Sequence, residues 1–390
     1  MCRPVAAFIP GAASPPNDAV WRLRASGKWP GRSSSATWHR RDPFNDAPER
    51  RWADINRQGE SLMREHGMSE YKRIINSQVR GRNAPRPTDP VERRELLQEM
   101  LEVFDEPVPD SLQVFDRFIP APGREIPIRV FRHKKAPKGV PQPTIYYIHG
   151  GGYMLGSLDT HTTPLCNLAL ATGAQVICVH YRRVPENPFP AGLEDCYFIL
   201  KWVHEEAKRY YIDVDTDRVA VAGESCGGGL TAAVSLMARD RNGPKIALQV
   251  LLYPGPMNTD YETDSYVRIN HDPQFNGKTL EFIMDSYLVG VSRTDPYAVP
   301  LQAKDFSRLP PAFIHVADLD PLYDEGILYG KKLEEAGVKA TVRVAHDLEH
   351  SFPRAVRVSP QARAECRVLY AAIRESLKTD PDLVTELWQD

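Results

Sequence analysis

The pentapeptide Gly223-Glu-Ser-Cys-Gly227 fits the pattern G-x-S-x-G. An apolar run, Val219–Ala222, stands directly before it, and a run of small residues that reads as a helix begins near Gly229. A strand turning tightly into a helix forces the intervening residue into a strained backbone, and flanking glycines leave room for the turn. A serine at that point projects its hydroxyl above the C-terminal end of the strand. The chemistry this would serve is nucleophilic attack by Ser225, with Gly223, Glu224 and Gly227 as supporting residues. A plain Gly-rich turn has a similar composition; the preceding strand is what favours the nucleophile.

His149-Gly-Gly-Gly152 lies just past a second apolar run, Ile145–Ile148. Glycines such as Gly150, Gly151 and Gly152 let a backbone turn its N–H groups into a cavity. Such groups stabilise the oxyanion of a tetrahedral intermediate. A glycine hairpin or a phosphate loop are the other readings, and no G-K-[ST] follows to support the phosphate one. His149 is expected to hold the loop.

A serine hydroxyl is a weak nucleophile at neutral pH and needs a base, which in turn needs an orienting carboxylate. After the apolar run Ala312–Val316 come Asp318, Asp320, Asp324 and Glu325; after Thr341–Val344 come His346 and His350. The chain order Ser, Asp, His, each near a strand end, suits a strand-elbow nucleophile. Spacing alone leaves the choice among these carboxylates and histidines open. Asp324 and Glu325 also suit the first turn of a following helix, where carboxylates meet the positive end of its dipole. His346-Asp-Leu-Glu-His350 is literally H-x-x-E-H, a zinc-peptidase pattern. That site needs a helix so that both imidazoles share a face, whereas this segment follows a strand and runs into Pro353. Cys226 is expected to be a small filler in preference to a reactive thiol.

Short apolar runs at Ile145–Ile148, Val176–Val179, Val219–Ala222, Leu248–Leu252, Ala312–Val316 and Thr341–Val344 read as strands. Helical segments such as Asp195–Lys208 and Gly229–Arg239 lie between most of them. This alternation predicts an α/β fold with a mostly parallel sheet buried on both faces. Val114–Ile119 and Ile126–Phe131, joined by Ala121-Pro122-Gly123, add a hairpin and bring the sheet to eight strands. Asp89-Pro90-Val91-Glu92 carries an N-cap, a first-turn proline and a capping-box glutamate, so a helix through Leu96, Leu97, Met100, Leu101 and Phe104 should follow. Residues 1–50, rich in Pro, Gly, Ser and Arg, read as a disordered tail. Residues 255–307 break the alternation, carry Tyr261, Tyr266, Phe275, Phe282 and Tyr287, and look like an insertion covering something.

Together, His149-Gly-Gly-Gly152, Gly223-Glu-Ser-Cys-Gly227, Asp320-Pro-Leu-Tyr-Asp-Glu325 and His350-Ser-Phe352 resemble the hormone-sensitive lipase-like family of α/β-hydrolases. So do Tyr181-Arg-Arg-Val-Pro-Glu186 and Phe189-Pro-Ala-Gly-Leu-Glu-Asp195. The resemblance runs from about Val114 to Val356. It implies a triad of Ser225, Asp320 and His350, and an oxyanion hole from the amides of Gly151, Gly152 and Cys226. It further implies carboxylesterase activity on short or medium acyl esters without a cofactor or metal. A helical cap is implied over residues 51–110 and 255–307, with the catalytic core over 111–254 and 308–390. The chain departs from the family at Glu224 and Cys226, where Asp and Ala are common. It departs also at His180 for Asp, Asn187 for His, and Ser351 for Gly.

The remaining composition excludes classes of function. With Lys+Arg at 49 against Asp+Glu at 51 there is no basic excess to draw nucleic acid or an anionic membrane. No apolar run approaches the ~18 residues that span a bilayer. Val5–Ala13 is faintly like a signal-peptide core but is short, holds Pro10-Gly11 and has only Arg3 ahead of it. The 6 cysteines are scattered, unlike a disulfide framework, so a cytoplasmic protein is expected. The expected partner is a small ester, with a homodimer through the last strand as a further expectation. An amidase or lactonase would use the same machinery. A silent binding protein on the same fold is the reading from another class; such a relative would be expected to lack a triad member.

Overall fold

Ile145 and Tyr147 face one way from their strand, Tyr146 and Ile148 face the other, and all four are buried. Val176 and Cys178 against Ile177 and Val179, and Ala220 and Ala222 against Val219 and Val221, repeat the pattern. A strand apolar on both sides belongs inside a sheet covered on both faces, which is the architecture of this chain. The computed structural model describes residues 68–78, 87, 89–258, 263–269 and 275–388. The tail expected over residues 1–50, the expected cap residues 51–67 and Tyr261 lie outside the described residues.

The strands are β1 (Leu112–Ala121), β2 (Arg124–His133), β3 (Gln142–Ile148), β4 (Gln175–Val179), β5 (Val214–Glu224), β6 (Leu248–Leu252), β7 (Ala312–Leu319) and β8 (Ala340–Glu349). They form an 8-stranded sheet in the order β1-β2-β4-β3-β5-β6-β7-β8. β1 and β2 form the expected antiparallel hairpin, and β2 pairs antiparallel with β4. Every pairing from β4 through β3 to β8 is parallel. This is the α/β-hydrolase fold.

The helices are α1 (Met68–Gln78), α2 (Pro90–Glu102), α3 (Thr162–Thr172), α4 (Ala191–Glu205), α5 (Cys226–Asp240), α6 (Asp264–Arg268), α7 (Gly277–Tyr287), α8 (Tyr323–Glu335) and α9 (Pro360–Leu377). Leu165, Leu168, Leu369 and Ile373 of α3 and α9 pack on the sheet face that carries Tyr147. Leu193, Ile199, Leu230 and Val234 of α4 and α5 pack on the face that carries Tyr146.

Several boundaries differ from the sequence reading for identifiable reasons. α5 begins at Cys226, not near Gly229, because the chain enters the helix directly from Ser225. Its glycines hide that start: a Cβ on Gly227 would collide with the carbonyl oxygen of Ile148, so the helix runs too close to β3 for a side chain. α4 starts at Ala191, just past Pro190, and stops at Glu205; Ala207–Tyr210 continue as a 3₁₀ turn that ends at Tyr211, whose φ is +61°. β8 runs on to Glu349, because its pairing with β7 resumes at Leu319 and Glu349 after a register shift. The H-x-x-E-H segment is therefore strand and turn, and its two imidazoles do not share a helix face.

Asp89 caps α2 by accepting from the N–H groups of Val91 (2.8 Å) and Glu92 (3.0 Å). The helix ends before Pro107, as expected. Arg94 ties it down, donating to the carbonyls of Met154 (2.9 Å) and Val184 (2.9 Å) and to Glu186 (2.7 Å). Within residues 255–307 lie α6 and α7, while Leu301 and Phe306 join a core cluster with Tyr329 of α8.

Candidate active site

Ser225 sits between β5 and α5 with φ +54° and ψ −127°. That is a region L-residues rarely enter. The conformation is over-determined by its surroundings. The Ser225 N–H donates to Leu252 O (2.9 Å), and its carbonyl accepts from the N–H groups of Gly229 and Gly255 (3.1 Å each). A Cβ on Gly223 would strike the carbonyl of Gly227, so the elbow closes only around glycine.

His350 lies in the turn after β8. Its Nε2 is 3.0 Å from Ser225 Oγ and its Nδ1 is 2.7 Å from Asp320 Oδ2. Asp320, fully buried beyond the end of β7, also accepts the Leu322 N–H at 2.9 Å. The neighbouring carboxylates go elsewhere. Asp318 accepts from His346 Nδ1 (3.0 Å) and the Asp347 N–H (2.8 Å), with the His346 side chain 71% exposed. Asp324 accepts the Ser265 N–H at 2.7 Å; Glu325 accepts from Tyr266 OH and from the Met257 N–H, both at 2.5 Å. These last two lie in the first turn of α8, as expected. Beyond any dipole role, they moor Met257, Ser265 and Tyr266 to that helix.

Gly151 and Gly152 have φ of +114° and +59°. A Cβ on Gly151 would lie 2.6 Å from the Leu155 carbonyl carbon, so glycine is required there. The N–H of Cys226 belongs to the first turn of α5, where a helix has no acceptor of its own. Its thiol is fully buried, pushed up to about 11 by burial, and receives the Tyr153 N–H at 3.1 Å. It is a packed acceptor and not a reactive group. His149 is buried, its pKa driven well down by burial, with Nδ1 2.9 Å from Gly150 O. Tyr181 stacks on its ring at 4.4 Å and donates to its carbonyl at 3.0 Å, which braces the glycine loop. Two side chains from residues 255–307 close over the group. Phe275 stacks on His350 at 4.1 Å, and Ile283 Cδ1 lies 3.0 Å from where a Gly152 Cβ would be.

Among the described residues, no group of three or more His, Cys, Asp or Glu is arranged to hold a metal ion. No helix among them is long and apolar enough to cross a membrane.

Residues 145–354 match the alpha/beta hydrolase fold family. Esterase LipI of Mycobacterium tuberculosis is 35% identical over 267 residues, covering 68% of this chain and 82% of the relative. The ethyl acetate hydrolase of Pseudomonas putida is 32% identical over 257 residues, covering 65% and 80%. Among solved structures, a hyperthermophilic esterase from the archaeon Pyrobaculum calidifontis superposes with a TM-score of 0.70 at 32% identity, covering 79% of this chain and 96% of the other. The chain belongs to the alpha/beta hydrolase fold family. It is a carboxylic ester hydrolase, and its resemblance to the hormone-sensitive lipase-like group holds.

The hydrolase's departures from its family have visible surroundings. Ser351, in place of glycine, takes φ +64° beside the His350 turn. His180, in place of Asp, is pushed down to about 4 by burial. Glu224 is more than a spacer in its motif. Its buried carboxylate meets His161 Nε2 (2.7 Å), Tyr253 OH (2.5 Å) and Arg354 Nη2 (3.3 Å). The sequence reading did not find His161, Tyr253 or Arg354. They share no motif: His161 lies in the polar run Asp159-Thr-His-Thr-Thr163, Tyr253 follows the apolar run Leu248–Leu252, and Arg354 follows Phe352-Pro353. Nor did it find Ile283; Phe275 stood out only as one aromatic of the insertion.

Proposed function

We propose that the hydrolase cleaves short- to medium-chain acyl esters, with Ser225 as nucleophile, His350 as base and Asp320 as orienter. The observation that carries this is His350 standing between the other two, at 3.0 Å and 2.7 Å. His350 Nε2 takes the proton of Ser225 Oγ as the oxygen attacks the ester carbonyl. Asp320 holds Nδ1 protonated and stabilises the imidazolium. The oxyanion is received by the amides of Gly151, Gly152 and Cys226. His350 returns the proton to the departing alcohol, and water then cleaves the acyl-enzyme by the reverse sequence.

A small acyl group suits Ile283 over the glycine loop and Phe275 over the base. The ethyl acetate hydrolase among the relatives points the same way. We read residues 51–110 and 255–307 as the cap, with a cytoplasmic location, no cofactor, and a homodimer formed through the edge strand β8. The test is labelling by a p-nitrophenyl phosphonate, followed by turnover of p-nitrophenyl esters of increasing acyl length and of a matched anilide. Labelling at Ser225 and turnover that falls with chain length are expected. Ser225→Ala should lower kcat on the order of 10⁶-fold. More than a few per cent residual activity in a clean preparation would remove the assignment.

A further inference from the structure

We propose that Glu224 is a positioning residue, whose buried carboxylate sets the approach of the Ser225 elbow to the His350 turn through Arg354 and Tyr253. The proposal rests on the reading of Ser225 as nucleophile and His350 as base.

Ser225 and His350 are brought together from 125 residues apart in the chain. A second closure spans nearly the same two points. Glu224, one residue before the serine, meets Arg354, in the 3₁₀ turn Phe352–Ala355 just after the histidine. Arg354 is itself held from the other side, its Nη1 donating to Thr160 O at 3.0 Å. The second oxygen of Glu224 accepts from Tyr253 OH at 2.5 Å. The Tyr253 ring stands edge-on to the His350 imidazole at 4.8 Å and to Phe352 at 5.7 Å. One carboxylate thus grips both a cation on the base's own turn and a ring packed against the base.

The charge state suits this role. Burial would raise the Glu224 carboxyl, but the Arg354 charge, then the hydrogen bonds of His161 and Tyr253, hold it well below the usual carboxylate range. His161 is driven down by burial and by Arg354, so the cluster holds one anion and one cation. A buried pair of this kind adds little stability over an apolar replacement of the same shape. Its location at the meeting of two reactive turns is the better account of it. A misplacement of about 1 Å between reacting groups can cost ~10²-fold in rate.

The experiment compares wild type, E224Q and Y253F on p-nitrophenyl butyrate, alongside the rate of phosphonate labelling at Ser225. Glu224→Gln preserves shape but removes the charge that Arg354 meets. The expected result is kcat and labelling rate lower by roughly 10- to 100-fold, with KM within about twofold. Tyr253→Phe removes one hydroxyl and no charge, and should slow labelling about fivefold, the kinetic equivalent of one hydrogen bond. A purely structural role would lower the melting temperature and leave the labelling rate of the folded protein unchanged, which overturns the proposal. If Glu224→Gln does not fold, Y253F decides alone: slowed labelling supports the proposal and an unchanged rate overturns it. Failure of the phosphonate to label wild-type Ser225 would instead overturn the hydrolytic reading beneath it.

Discussion

Phe275 lies nearly flat on His350, ring centroids 4.1 Å apart and planes 25° from parallel. The ring comes from the segment leading into α7, whose Leu280 packs with Tyr266 and Leu322. It covers the imidazole, and under the proposed reaction a longer acyl or alcohol group bound at Ser225 would compete with it for the space beside that ring. Phe275→Ala is therefore expected to raise kcat/KM for p-nitrophenyl octanoate relative to butyrate by about 10-fold, the scale of a small volume change in an apolar pocket. The check is the ratio of the two kcat/KM values; an unchanged ratio would place the acyl group elsewhere.

Asp320 and Asp318 differ in what they hold, so their amides should differ in effect. Asp320→Asn should lower kcat on the order of 10⁴-fold, because an amide no longer fixes the tautomer of His350. Asp318→Asn and His346→Gln alter a pair whose histidine is exposed and whose carboxylate is half-buried, and should leave kcat within about threefold, as pairs near the surface contribute little. Steady-state kinetics of the three variants settle the order. Comparable losses at Asp318 and Asp320 would mean that the wrong carboxylate has been chosen.

Gly151→Ala should damage the glycine loop by two routes. The residue has φ +114°, and its new Cβ would lie 2.6 Å from the Leu155 carbonyl carbon. Either the loop shifts or the Leu155 peptide gives way, and in both cases the amides move away from the position of the proposed oxyanion. Loss of one such donor typically costs ~10²–10³-fold in kcat. The expected signature is a large fall in kcat in a protein whose circular dichroism is unchanged; wild-type kcat would mean that the loop does not serve the reaction.

Acid should destabilise the fold in two stages. Burial pushes His149, His161, His180 and His315 below the ordinary histidine value, His180 to about 4. The unfolded chain binds protons on these rings below about pH 6.5 while the folded chain resists, so stability is full above that pH and lost as pH falls. Glu365 is opposed by burial but is held at about 2 by hydrogen bonds from His315 and Arg343. Its contribution is present above its ordinary value of 4.5 and is lost as pH falls toward about 2. Calorimetry should show a melting temperature that declines below about pH 6.5 and more steeply below about 4.5. His180→Gln should flatten the first limb and Glu365→Gln the second. A melting temperature that rises between pH 7 and 5 would contradict these signs.

Local patterns made most of the sheet and the elbow legible. β6 matches its apolar run end to end, and β3, β4, β5 and β7 each contain theirs, because a strand buried on both faces admits few polar residues. Ser225 was conspicuous because its strained turn admits only glycine at Gly223 and Gly227, and that demand is written within five residues. The parts that escaped are of another kind. The extension of β8 follows from a register shift against β7, which depends on the partner strand and not on β8 itself. Spacing did not separate Asp318 from Asp320; only the resemblance pointed to Asp320, and it is the end of β7 that sends one to His346 and the other to His350.

By itself the sequence determined the alternation of strand and helix, the glycine-bounded turn at Ser225, the glycine loop after β3, and the order of serine, carboxylate and histidine along the chain. These are properties of periodicity and backbone sterics, which act over a few residues and leave a trace in each. Only the tertiary structure decided that His161, Tyr253 and Arg354 converge on Glu224, and that Phe275 and Ile283 close over His350 and the glycine loop. Among those contacts, Glu224 and Arg354 lie 130 positions apart. No local rule reports them, because what selects each side chain is a neighbour that the folded chain alone supplies.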